Sequence, residues 1–159
     1  MATIEHDIQI ERGSFADIDS VMTVMDSAFG KRFGEAWTRS QLAGILPMAG
    51  VSLMLAREDG NDQVVGFSLF RAVADESELL LLGVLASHQR RRIGRHLLSD
   101  YLDRARNDGI TRVHLEVRDG NPAVEMYTNA GFSPVGRRRN YYHASNGKRF
   151  DAITLAVQL

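Results

Sequence analysis

The 159-residue chain has no cysteine, three prolines, one tryptophan and almost no net charge. The missing cysteine excludes a disulfide framework, thiolate metal sites and a cysteine nucleophile. The longest apolar run, residues 79–86, falls far short of the ~20 residues of a membrane-spanning helix. Glu5, Asp7, Glu11 and Arg12 interrupt any apolar signal core near the start. A soluble, unsecreted, cytoplasmic protein with no membrane partner is therefore expected. A formal charge of −1 gives no global attraction to nucleic acid, so a basic cluster acts only locally. His88, His96, His114 and His143 have no metal-ligand spacing on one element, and no metal is expected.

What is present is enough apolar residue, 44%, to bury one sizeable core, and residues 1–159 read as a single domain. Residues 6–12 alternate as a strand. Ser14 with Asp17 and Thr38 with Gln41 form two capping-box patterns, opening helices that run to about Phe29 and to Pro47. Residues 51–57 and 64–74 read as a hairpin around Asp59-Gly60-Asn61-Asp62. Residues 79–84 show no alternation, as in a central strand covered on both faces, and the following helix carries Ile93, Leu97, Leu98, Tyr101, Leu102 and Ala105 at helical spacing. Residues 112–118 form a parallel strand with Val113, Leu115 and Val117 on one face and His114 and Glu116 on the other. Asn121 as N-cap, Pro122 at the first helical position, and Gly131-Phe132 as a Schellman-type end bracket a short helix. Residues 133–142 and 151–159 read as a closing hairpin around Asn146-Gly147.

One segment suggests a ligand. Val84 leads into Gln89, Arg90, Arg91, Arg92, Ile93, Gly94 and Arg95, so a cationic loop opens directly onto a helix. Unpaired N–H groups and the helix dipole favour an anion there, and arginines can clamp it. The cluster is short and lacks interleaved aromatics, which favours a pyrophosphate over nucleic acid.

The order of elements resembles the GNAT superfamily of acyl-CoA-dependent N-acetyltransferases, and within it the bacterial branch acting on ribosomal-protein alanine. Four segments carry the resemblance: residues 89–94, Leu115-Glu116-Val117-Arg118, Met126-Tyr127 with Gly131-Phe132, and Arg138-Arg139-Asn140-Tyr141-Tyr142 followed by Asp151-Ala152-Ile153. Trp37-Thr38 matches the opening of the second helix. Two positions depart from the pattern. Arg92 stands where the loop has its first glycine, and the segment from Glu116 to Tyr127 is one residue short.

The resemblance implies an α/β fold with a mixed, mostly antiparallel sheet of about seven strands, a splayed parallel pair (residues 79–84 and 112–118) and about four helices. It implies acetyl-CoA as co-substrate, held by the backbone of Leu82, Gly83 and Val84, the loop residues and Asn121. Tyr141, Tyr142 and Arg138 would border the acceptor cleft; by pattern alone they form an exposed hairpin edge.

For the chemistry, Glu116 is a candidate base because a carboxylate on an inner strand is partly desolvated and so poised to take a proton. The structural alternative is an ion pair with Arg118 or Arg112. Spacing alone puts Tyr127 in a helix core, whereas the resemblance makes it the acid toward the leaving thiolate. With no cysteine and no Gly-x-Ser-x-Gly turn, direct attack in a ternary complex is expected. The expected activity is acetylation of a protein N-terminal α-amine, by resemblance the N-terminal Ala of a small-subunit ribosomal protein. Acetylation of a lysine or a small-molecule amine, and a CoA-binding sensor without turnover, are the alternatives. No direct nucleic-acid partner is expected, and the chain should be a monomer or weak dimer.

Overall fold

The computed structural model describes residues 7–159. Strand β1 (Ile8–Arg12) leads through a 3-10 turn into α1 (Ile18–Phe29), followed by α2 (Arg39–Ile45), β2 (Val51–Glu58), β3 (Val64–Val73) and β4 (Glu76–Val84). Then come α3 (Ile93–Asn107), β5 (Arg112–Arg118), α4 (Ala123–Asn129), β6 (Ser133–His143) and β7 (Arg149–Gln158). The reading of residues 6–12 as a strand holds from Ile8 onward, and His6 lies outside the described residues.

The seven strands form one sheet in the order β1-β2-β3-β4-β5-β7-β6. All pairings are antiparallel except β4 with β5. β4 is thus central, and β7 inserts between β5 and β6, which the hairpin reading alone does not reveal. The helices cover two faces. Val21, Val24 and Met25 of α1 and Leu42 of α2 share one core with Phe67, Leu69 and Leu81. Leu98, Tyr101 and Leu102 of α3 and Tyr127 of α4 share the other with Met54, Phe70 and Leu79. No helix among the described residues is long and apolar enough to cross a membrane.

Both capping boxes form. Ser14 starts the 3-10 turn that feeds α1, and Thr38 starts α2 with Gln41 returning the bond. α4 ends as its sequence requires. Gly131 takes φ +101°, its N–H bonds Thr128 O, and Phe132 N–H bonds Tyr127 O. The two rings then meet edge to face at 5.8 Å, the apolar contact that closes a Schellman end. At the other end the helix begins at Ala123, one residue later than expected, yet Asn121 Oδ1 still accepts from the Ala123 N–H at 2.8 Å.

The unbroken leucines of β4 hide a bulge. Leu69 faces Leu81 while Phe70 faces Leu79, so Leu80 is left over. The extra residue reverses the strand's parity, which is why Leu79 packs with α3 and Leu81 with α1. The missing alternation therefore reflects a bulge, and the strand is not fully covered: Leu80 and Leu82 are only partly buried.

Candidate active site

The parallel pairing of β4 with β5 runs only from Glu76 with Arg112 to Leu79 with Leu115. Beyond the bulge the two strands splay. The paired part therefore ends at residue 79, and beyond the bulged Leu80 residues 81–84 keep β3 on one side while their other edge has no strand partner. Between the splayed ends opens a cleft of about 1010 Å³. That is at the upper limit of small-molecule pockets, roughly 300–1,000 Å³, and suits an extended ligand.

One end of the cleft is the cationic loop. Ser27 Oγ of α1 accepts from the Ala86 N–H at 2.9 Å, and Gln89 Nε2 donates to Val84 O at 3.1 Å, folding the chain back from β4. Arg90 and Arg92 then take φ +65° and +64°, and Arg92 is the N-cap of the 15-residue α3. The departure from glycine at 92 is accommodated with its left-handed backbone kept, at a cost of about 1–2 kcal/mol for a non-glycine residue. Gln89, Arg90, Arg92, Ile93, Gly94 and Arg95 line the cleft, as do Leu82, Gly83 and Val84. Arg91 does not. The left-handed residues on either side turn it outward, where its Nη1 meets Glu58 Oε1 at 3.3 Å.

The splayed end carries the titratable groups. Glu116 is 11% exposed; its Oε1 lies 3.0 Å from Arg138 Nε and its Oε2 accepts from Thr154 Oγ1 at 2.7 Å. Neither Arg118 nor Arg112 is its partner: Arg118 packs with Glu35 and Arg112 with Glu76. Arg138 itself is absent from the cleft lining, because its guanidinium is spent on Glu116 and lies over the Tyr141 ring at 5.5 Å. Tyr141 and Tyr142 do line the cleft and meet edge to face at 5.0 Å. The Tyr142 hydroxyl donates to Glu116 O at 3.4 Å. Burial, helped by the charges of Glu35 and Glu116, raises the Tyr142 phenol above its ordinary pKa. Tyr127 is buried in the α3–α4 core yet also reaches the cleft, and burial raises its phenol as well.

Sequence reasoning missed the segment between α1 and α2. Phe33, Glu35 and Trp37 line the cleft. Glu35 Oε1 lies 3.3 Å from Arg118 Nε, an ion pair off hydrogen-bond alignment. The Arg118 guanidinium stacks over Phe33 at 3.6 Å, and Phe33 meets Phe150 edge to face at 5.2 Å. Asn121 belongs to the same group. It lines the cleft, but its Oδ1 caps α4 and its Nδ2 donates to Glu35 Oε2 at 2.8 Å, so both ends of its amide are already engaged. No signal within about ten residues links positions 35, 118 and 150; only the folded topology does.

The family profile of the GNAT acetyltransferases matches residues 18–132. The chain belongs to that family. GNAT relatives sharpen the likeness: the N-alpha-acetyltransferase RimI of Mycobacterium tuberculosis is 41% identical over 105 residues, covering 63% of this chain and 61% of that one. The ribosomal protein bS18-alanine N-acetyltransferase of Salmonella typhimurium is 31% identical over 133 residues, 78% of this chain and 89% of the relative. In three dimensions, the ribosomal-protein-S18-alanine N-acetyltransferase of Escherichia coli superposes with a TM-score of 0.85 at 26% identity, covering 96% of this chain and 94% of the other. As a GNAT acetyltransferase the chain is an acyltransferase, and acetyl-CoA is the acyl donor of its family.

Proposed function

We propose that this chain, a single cytoplasmic domain, transfers an acetyl group from acetyl-CoA to the N-terminal α-amine of a protein, an alanine-initiated ribosomal protein of the small subunit. The observation that carries the reading is the splay. One cleft contains an unpaired strand edge, a cationic loop at a helix start, a carboxylate and a phenol, and the relatives named for this activity share the fold.

The residues present fit the cofactor. Arg90, Arg92 and Arg95, with the N-terminus of α3, would hold the pyrophosphate, and the free edge of residues 81–84 would hydrogen-bond the amides of the pantetheine arm. Bound there, acetyl-CoA supplies an activated acyl group as a thioester. Asn121 contributes through its remaining N–H alone.

At the acceptor end, Glu116 takes the proton of the incoming amine, directly or through a water. Arg138 occupies the carboxylate beforehand, and an arriving ammonium exchanges for that guanidinium. An α-amine near pKa 8 costs about 1.4 kcal/mol to deprotonate at pH 7, a lysine near 10.4 about 4.6 kcal/mol, so the α-amine asks less of the base. Tyr127 acts as a hydrogen-bond donor toward the departing thiolate. Full proton transfer from a phenol above pKa 10 to a thiolate whose acid is near 8.5 is uphill by more than about 2 kcal/mol.

Mass spectrometry of two peptides incubated with the chain and acetyl-CoA tests the reading. One has a free N-terminal Ala; the other is N-terminally blocked with an internal Lys. Acetylation of the first alone is expected. Acetylation of the second alone makes the chain a lysine acetyltransferase, and no product from either returns the small-molecule and sensor readings.

A further inference from the structure

Three side chains at the loop end of the cleft take no part in the transfer described above, yet they are tied together. Glu58 closes β2, and its side chain is 14% exposed. Its Oε1 lies 3.0 Å from His88 Nε2 and 3.3 Å from Arg91 Nη1. The other His88 nitrogen, Nδ1, lies 2.7 Å from Ser87 Oγ. Both ring nitrogens are therefore engaged, and the one facing the carboxylate must carry a proton to bond it.

His88 and Arg91 bracket Arg90. On either side of Arg91 the chain holds a left-handed arginine, at 90 and 92, a backbone that is unfavourable at each step. The loop also concentrates like charge, which on its own would spread the arginines apart. Something must hold the turn in one shape. Glu58 is the carboxylate placed to do so, because it neutralises Arg91, which points away from the cleft, and holds His88, which lines it.

We infer that Glu58 is a positioning residue for the cofactor: by gripping His88 and Arg91 it fixes the strained turn that aims Arg90 and Arg92 into the cleft. The inference rests on the acetyl-CoA reading of that cleft. It also carries a sign. An unpaired carboxylate near an anionic ligand is unfavourable, so Glu58 helps binding only while Arg91 balances its charge and His88 donates to it.

Titration calorimetry with coenzyme A tests this. Glu58→Ala is expected to raise Kd about tenfold and Glu58→Gln, which keeps an acceptor for His88, about threefold, against ~1.4 kcal/mol for a factor of ten. In a His88→Ala, Arg91→Ala background the grip is already lost, and adding Glu58→Ala is expected to leave Kd unchanged or lower it. A residue that merely stabilises the fold would weaken binding equally in both backgrounds, and that result overturns the inference. So does an unchanged Kd for both single variants while the unaltered chain binds. If the unaltered chain gives no binding heat, the cofactor reading itself fails and takes the inference with it.

Discussion

Arg138 reaches Glu116 across an intervening strand. The arginine is on β6 and the carboxylate on β5, and β7 lies between them in the sheet. Thr154 of β7, directly beside Glu116, bonds the second carboxylate oxygen, and Gly136 faces Thr154 from β6, leaving space for the guanidinium to lean over. All three contacts to Glu116, from Arg138, Thr154 and Tyr142, thus come from the two strands of the closing hairpin.

Arg138→Gln should lower KM for the acceptor peptide. The Arg138 side chain is 62% exposed, so its pair with Glu116 is weak, of order 0–1 kcal/mol, and the gain should not exceed about fivefold. Steady-state kinetics with the Ala-initiated peptide measures it, and a rise in KM would make Arg138 a contact of the acceptor instead.

Removing the base has a different signature. Glu116→Gln should reduce kcat by roughly 10²–10⁴-fold, most severely at low pH where the amine is protonated. Affinity for acetyl-CoA should stay the same by calorimetry. An unaltered pH profile would remove Glu116 from the proton path.

Tyr127→Phe should slow transfer by roughly 10²–10³-fold with the natural thioester, as for the loss of one preorganised donor to a developing anion. If the phenol only donates a hydrogen bond, the penalty shrinks with an acyl donor whose thiol is more acidic and needs less help to leave. Burial raises this phenol, so it remains protonated up to and beyond its ordinary value. Activity should therefore show no alkaline loss attributable to Tyr127 below about pH 10. A limb near pH 9 that disappears in Tyr127→Phe would contradict the assignment.

Arg92→Gly should separate stability from binding. The left-handed backbone costs an arginine about 1–2 kcal/mol. Glycine's greater freedom in the unfolded chain offsets about 0.5–1 kcal/mol of this, so the folded state gains at most about 1.5 kcal/mol. Because Arg92 lines the cleft, the same change should weaken coenzyme A binding. Urea denaturation and calorimetry read the two effects, and tighter binding would mean that Arg92 contributes strain alone.

Gly34→Ala should detach the segment that carries Glu35. Gly34 has φ +71°, and a Cβ there would lie 2.1 Å from the carbonyl oxygen of His143. The obstacle is backbone and cannot swing away, so a loss of at least about 2 kcal/mol is expected. Chemical denaturation checks the stability, and the peptide KM should rise with it.

The sequence exposed what is decided locally. Capping boxes at Ser14 and Thr38, the Schellman end at Gly131 and the facing of Val113, Leu115 and Val117 all rest on residues within one turn or one strand, and the structure contains each. What stayed hidden depends on partners far along the chain. Leu80 is a bulge only by its register with β3, Arg91 points outward because Glu58 waits on β2, and Asn121 meets Glu35 across 86 positions. A run of four leucines also carried less information than it seemed to, since a parity change within identical residues leaves no trace in the pattern.

The splay between β4 and β5 has a metabolic side. The central sheet is left one edge short, and an acyl-CoA lying along residues 81–84 would serve as the strand that finishes it. Ligand bound only to the folded chain stabilises it by about 2.7 kcal/mol at a hundred times Kd. The protein's resistance to unfolding and proteolysis would then rise and fall with acyl-CoA supply.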